Sequence, residues 1–136
     1  MQLKRDTEYA LRIMLCIAEE LQNSDRQKGF PSTLVLEKTA VPLVSFYRIC
    51  RSLEANGLIC NGIKEDGVKW IYPGKDFWSQ NILSIGEAIE GTMMLFAVFD
   101  KNSYFTQAYG EKLKDVQNSL NEVLSKTTIS ELINEY

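Results

Sequence analysis

Apolar residues recur along residues 7–21 at helical spacing. Ala10, Ile13, Met14, Ile17 and Leu21 make one face, and Leu11, Leu15 and Ala18 add a second. A helix that is apolar on most of its sides is buried, so this segment predicts a central helix. Residues 22–30, QNSDRQKGF, are polar and predict a loop. From Ser32 the pattern becomes two short helices. Ser32 suits an N-cap, because its hydroxyl can accept from an otherwise unpaired amide of the first turn. Leu34, Val35 and Leu36 carry that helix to Thr39. Ala40–Val41–Pro42 predicts a tight turn, with Pro42 as the first residue of the next helix, where its missing N–H costs nothing. In that second helix Leu43, Phe46, Ile49, Cys50 and Leu53 form an inward stripe at 3.6-residue spacing. Val44, Tyr47, Arg48 and Arg51 occupy the other face. Gly57, after Asn56, is placed to take the left-handed conformation that ends a helix.

A hairpin follows over residues 58–64 and 68–72. Asp66–Gly67 is its turn signal, since both positions tolerate positive φ. Val68, Trp70 and Tyr72 alternate with Lys69 and Ile71, and Pro73–Gly74 closes the second strand. Residues 84–90 predict a short helix ended by Gly91. The run MMLFAVF, residues 93–99, is too short to assign by period and predicts buried packing. Residues 106–125 predict a long helix in which Tyr109, Leu113, Val116, Leu120 and Val123 alternate steps of four and three. That is a seam of heptad type, suited to a second copy of the chain. Thr128-Ile-Ser-Glu131 reads as a capping box opening a last short helix, with Glu131 reaching back to the Thr128 amide.

Two short helices across a tight turn, the second with an outward Tyr–Arg–Arg face, form the pattern of a helix-turn-helix with a recognition helix. The hairpin directly after it is a wing, with Lys64 and Lys69 flanking its tip. The expected fold is therefore mainly α with a small β-hairpin wing: a winged helix-turn-helix followed by a long C-terminal dimerisation helix. Residues 1–75 make the expected DNA-binding domain, with the first helix contributing to the dimer core. Residues 76–136 make the dimerisation or effector region. In this frame Arg48, early in its helix, is expected to read a base, and Arg51, one turn on, to meet a phosphate.

Composition narrows the chemistry. The chain of 136 residues suits one domain, and no apolar run approaches the ~20 residues of a membrane span. Histidine is absent, which removes the commonest general base and the commonest zinc ligand and makes an enzyme remote. Three widely spaced cysteines fit a reducing cytoplasm better than a disulfide framework. The net charge of −3 divides unevenly: residues 1–75 carry 11 Lys and Arg against 9 Asp and Glu, and residues 76–136 carry 4 against 9. The basic excess lies with the helix-turn-helix, as a DNA-facing half requires. The acidic total and the Glu65–Asp66 wing tip favour a competing reading, a winged-helix module that has lost DNA binding and docks a protein partner.

Four segments resemble one family of bacterial transcription factors. LKRDTEYALRIMLCIA, PLVSFYRICRSLEANGLI, ILSIGEAIEG and LSKTTISELI, in this order, resemble the Rrf-two family, that of the iron–sulfur-cluster regulator IscR and the cysteine-metabolism repressor CymR. The resemblance implies a cytoplasmic homodimer that binds double-stranded DNA through the winged helix, with the long helix crossing to the partner subunit. It leaves room for a small-molecule or protein effector. Carried over by position, the family's base-contacting places fall on Pro42, Val44, Tyr47 and Arg48, and its aromatic residue opening the first helix on Tyr9. Cluster-binding members hold their metal with three cysteines just after the glycine matching Gly91. The corresponding segment here, TMMLFAVFDKNSYF, has no cysteine and no histidine, so no cluster or other cofactor is expected. The wing departs as well: lysine enters a narrow minor groove less favourably than arginine, and Glu65 and Asp66 repel phosphate.

Overall fold

The computed structural model describes residues 5–23, 29–91 and 104–134. It is mainly helical with one small antiparallel sheet. Helix α1 spans Arg5–Asn23 and is the hub of the fold: Ala10, Ile13, Met14, Ile17 and Ala18 are fully buried in it. Around it pack α2 (Ser32–Thr39), α3 (Leu43–Ala55), α4 (Ile82–Glu90) and α6 (Ile129–Asn134). A single turn of 3-10 helix, Phe77–Ser79, leads into α4. Ile85, Ile129 and Ile133, from beyond residue 75, share one core with Phe46, Ile49 and Leu53 of α3. Thr7, buried at the start of α1, donates to Glu90 at the end of α4 at 3.0 Å. Cys16 and Cys50 belong to this core, and burial pushes their thiols up to about 11 and about 12. At neutral pH both are uncharged apolar fillers. The apolar run 93–99 lies outside the described residues.

The expected hairpin is present, but as part of a three-stranded sheet. Strand β1, Phe30–Pro31, pairs antiparallel with β3 (Lys69–Pro73), which pairs with β2 (Ile59–Ile63), giving the order β1-β3-β2. The end of the expected loop 22–30 is thus a strand, placed by Phe30 facing Ile71 across the ladder. Within β3 the residue turned to the core is Ile71, while Trp70 and Tyr72 are half-buried and Val68 just ahead of the strand is exposed. The wing turn differs in type from the expected one. Asp66 does not take positive φ; Gly67 does, at +81°. The Gly67 amide donates to the Lys64 carbonyl at 2.8 Å, and the Asp66 carboxylate accepts the Val68 amide at 3.0 Å. This is a tight turn followed by one left-handed glycine, the three-residue form of hairpin connection.

The helix-turn-helix is shifted at its boundaries. Ser32 is the first residue of α2, and its hydroxyl makes no cap; Pro31 holds the N-cap place. Pro42 likewise is the N-cap of α3, and the helix proper starts at Leu43. Helix α3 ends in a Schellman motif, as the Asn56–Gly57 pair suggests. Gly57 has φ +76°, the Leu58 amide reaches the Leu53 carbonyl at 3.0 Å, and the Gly57 amide reaches Glu54 at 2.9 Å. Helix α4 begins two residues earlier than expected because Asn81 and Ser84 form a full capping box. At Thr128 the hydroxyl accepts the Glu131 amide at 3.2 Å, the forward half of the expected box.

Between α2 and α3 the chain turns on Ala40, which takes a left-handed conformation at φ +54° and ψ +27°. Its methyl group costs about 1–2 kcal/mol there. Ala40→Gly relieves that strain at the expense of a freer unfolded chain, so a net gain of about 0.5–1 kcal/mol is expected. Urea unfolding should show a higher midpoint at unchanged slope. A lower midpoint would mean that the methyl group supports the turn by packing.

Candidate nucleic-acid interface

The outer face of α3 and the wing next to it carry the candidate contact residues. The period that buries Phe46, Ile49, Cys50 and Leu53 turns Val44, Arg48 and Arg51 to solvent. Val44 is 83% exposed, and Pro42 beside it is open as well. Leu43 departs from the expected inward stripe: it is 57% exposed. It lies one turn before Phe46 on the same side, but at the first residue of the helix it overhangs the core. The tip of α3 therefore presents Pro42, Leu43 and Val44 together as an apolar surface.

Arg48 is held. Its guanidinium makes a two-pronged ion pair with Asp6 of α1, at 2.6 and 3.3 Å. Both side chains are partly exposed, at 51% for Arg48 and 31% for Asp6. These hydrogen bonds keep the Asp6 carboxyl below the usual carboxylate range and raise Arg48. A depressed carboxyl contributes stability that is present above its unfolded pKa and lost as pH falls through the folded value, so the pair is intact at neutral pH. An exposed pair of this kind, screened by solvent, contributes little to stability. Asp6 was not among the residues expected to matter, and 42 residues of sequence separate it from its partner.

Tyr47 and the wing are joined by an aromatic–cation contact. The Tyr47 ring packs edge-on to Phe46 and has the Lys69 ammonium 4.7 Å from its centre. Its hydroxyl lies 3.5 Å from that of Ser32. Arg51, one turn beyond Arg48, is exposed and has no ion pair among the described residues. Lys64 lies over the Trp70 ring at 3.4 Å, and Trp70 in turn stacks on Tyr72. Contacts of this type are worth about 0.5–1 kcal/mol on a surface, little enough for either lysine to exchange them for phosphate. Tyr9 stands apart. It is half-buried on α1 with Arg12 5.4 Å from its ring, and no ring or ion contact among the described residues joins it to α3.

Helix α5 runs from Tyr104 to Lys126, longer than expected at each end. Its seam is divided. Leu113 and Leu120 are half-buried. Tyr109, Val116 and Val123, seven residues apart, are 51%, 50% and 64% exposed. No helix among the described residues is long and apolar enough to cross a membrane, and no group of described residues is arranged to hold a metal ion.

No protein-family model matches the sequence, and no curated protein matches it. Solved structures do. CymR (YrzC), the global cysteine regulator of B. subtilis, is similar with a TM-score of 0.76 at 15% identity, over 100% of this chain and 98% of that one. IscR of T. potens is similar with a TM-score of 0.71 at 16% identity, over 99% of this chain and 88% of that one. The oxidised form of Staphylococcus aureus CymR gives 0.69 at 16% identity, over 97% and 95% of the two chains. At such identities the likeness is one of fold, and it extends over the whole chain: this protein has the winged-helix fold seen in CymR and IscR.

Proposed function

We propose that the protein is a sequence-specific DNA-binding transcriptional regulator, a repressor acting as a homodimer on an inverted-repeat operator. The observation that carries this reading is the outer face of α3, where Pro42, Leu43 and Val44 form an exposed apolar tip followed by Arg48 and Arg51 on successive turns. Apolar side chains at a helix start suit thymine methyl groups, and an arginine behind them suits the paired acceptors of guanine. Tyr47 and Lys69 set the wing beside that helix. The whole-chain likeness in fold to transcriptional regulators supports the same reading.

Residues 1–75 take the DNA-binding role and residues 76–136 the dimerising one. The open heptad row of Tyr109, Val116 and Val123 is the proposed contact with a second copy. Leu113 and Leu120 back it from the half-buried side. The protein works without an iron–sulfur cluster. Residues 92–105 contain no cysteine, and Cys16, Cys50 and Cys60 lie on α1, α3 and β2. Lys64 and Tyr9 have secondary parts in this account, Lys64 as a phosphate contact at the wing and Tyr9 as a DNA contact from the start of the first helix.

Arg51 tests the electrostatic part. As a phosphate contact it should add to affinity for every sequence and release one counterion when it binds. Arg51→Ala is expected to weaken binding to random duplex DNA and to reduce the slope of log K against log salt by about one unit per subunit. Fluorescence anisotropy across a salt series measures both. An unchanged slope would remove Arg51 from the interface.

A further inference from the structure

A cavity of about 280 Å³ lies between α3 and the wing. Phe46, Cys50 and Ile71 close its floor and, at no more than 3% exposed, present almost no surface to it; half-buried Tyr47 and exposed Ile63 supply its apolar wall. Arg51, Lys69 and Tyr47 also border it, where the recognition helix faces β3. Charge on the lining is unbalanced. Arg51 has no ion pair among the described residues, and Lys69 has an aromatic face rather than a carboxylate for a neighbour. Glu54 is the anion on the lining, and its carboxylate is occupied with the Asn61 amide at 2.7 Å. Two cations against one engaged carboxylate leave a net positive border on an apolar floor. The buried, neutral Cys50 thiol keeps that floor uncharged.

We propose that this cavity is an effector site for a small aromatic carboxylate, its ring against Tyr47 and Ile63 and its carboxylate towards Arg51 and Lys69. The size argues for a compact ligand, since drug-sized molecules occupy about 300–1,000 Å³. The ring gains from burial against Tyr47 and Ile63, and the carboxylate gains two charge-assisted hydrogen bonds. A neutral ligand of the same shape would leave both cations unanswered.

The location gives the site a consequence. Arg51 and Lys69 cannot serve a bound carboxylate and a DNA phosphate together. The ligand also enters where Lys69 rests on Tyr47, the contact that joins the wing to the recognition helix. Ligand and DNA therefore oppose one another, and linkage makes the opposition reciprocal. This consequence rests on the DNA-binding reading; occupation of the cavity itself does not.

The test uses the full chain labelled with nitrogen-15, titrated with 3-phenylpropionate and, in parallel, with 3-phenylpropionamide. The acid is expected to shift the backbone amides of Cys50, Asn61, Gly62 and Ile71 and to bind at least about tenfold more tightly than the amide, the difference a charged contact of roughly 1.4 kcal/mol makes. Arg51→Gln and Lys69→Gln, both on the surface, should each bring the acid down towards the amide without altering the rest of the spectrum. Equal affinity for acid and amide, no shifts at millimolar acid, or shifts confined to α5 would overturn the proposal. DNA release is followed separately by anisotropy. Acid binding by a protein with no affinity for DNA upholds the cavity and sinks the DNA reading. Acid binding that leaves DNA affinity unchanged overturns the proposed effector role.

Discussion

Val116→Asp is expected to turn a dimer into a folded monomer. Val116 sits midway along the open row of α5, seven residues from Tyr109 on one side and from Val123 on the other. If a second copy covers that row, each subunit of the variant carries an aspartate into an apolar contact. Removing a charge from water without a partner costs several kcal/mol, which exceeds what a seam of this length can return. The valine is 50% exposed within one chain, so the same change leaves the core untouched. Val116 is a cleaner probe than Leu120, whose half-buried position would mix dissociation with unfolding. Light scattering should show half the mass of the wild type, and circular dichroism an unchanged helix content. A monomeric wild type at micromolar concentration would contradict the proposed assembly.

The second large effect concerns Arg48, and two variants should move in opposite directions. Arg48→Ala removes a guanidinium that can form two parallel hydrogen bonds with guanine, a contact worth ~1–3 kcal/mol. Its specific operator should therefore be bound roughly 5- to 150-fold more weakly. Asp6→Asn removes the carboxylate that holds the same guanidinium in the free protein. The exposed pair is a weak one, so releasing it should tighten operator binding by a few-fold at most. On the proposed reading the base contact outweighs the ion pair, so Asp6 could hold Arg48 in the free protein without preventing recognition. Anisotropy with the operator measures both variants. Equal losses in the two would show that the pair is a strut of the fold and that Arg48 does not reach DNA.

Much of this fold is legible in local pattern. The stripe of α3, the glycine that ends it, the buried α1 and the wing hairpin all follow from period and turn chemistry. The parts that were not legible depend on what lies opposite. Phe30–Pro31 is a strand only because β3 accepts it, and two residues carry no period of their own. In β3 the residues Trp70, Ile71 and Tyr72 are all apolar, so alternation could not say that Ile71 faces the core. Leu43 falls on the inward side by spacing, yet the core ends before it. A period gives the direction of a side chain and not the extent of the body it points to. Asn81 with Ser84 was a readable cap that the apolar pattern of residues 84–90 concealed. The Asp6–Arg48 pair could not be read, since only the packing of α1 on α3 brings the two together.

The central claim is that α3 reads DNA sequence, and selection from a pool of random duplexes tests it most directly. A dimer with two recognition helices should enrich an inverted repeat with half-sites about one helical turn apart, or a multiple of it. Repeated with Arg48→Ala, the selection should return the same repeat with relaxed preference at one position in each half-site. With Arg51→Ala it should return the repeat unaltered at lower affinity. A wild-type protein that enriches no motif, or two variants that lose specific and random DNA alike, would contradict the assignment of α3 as a recognition helix.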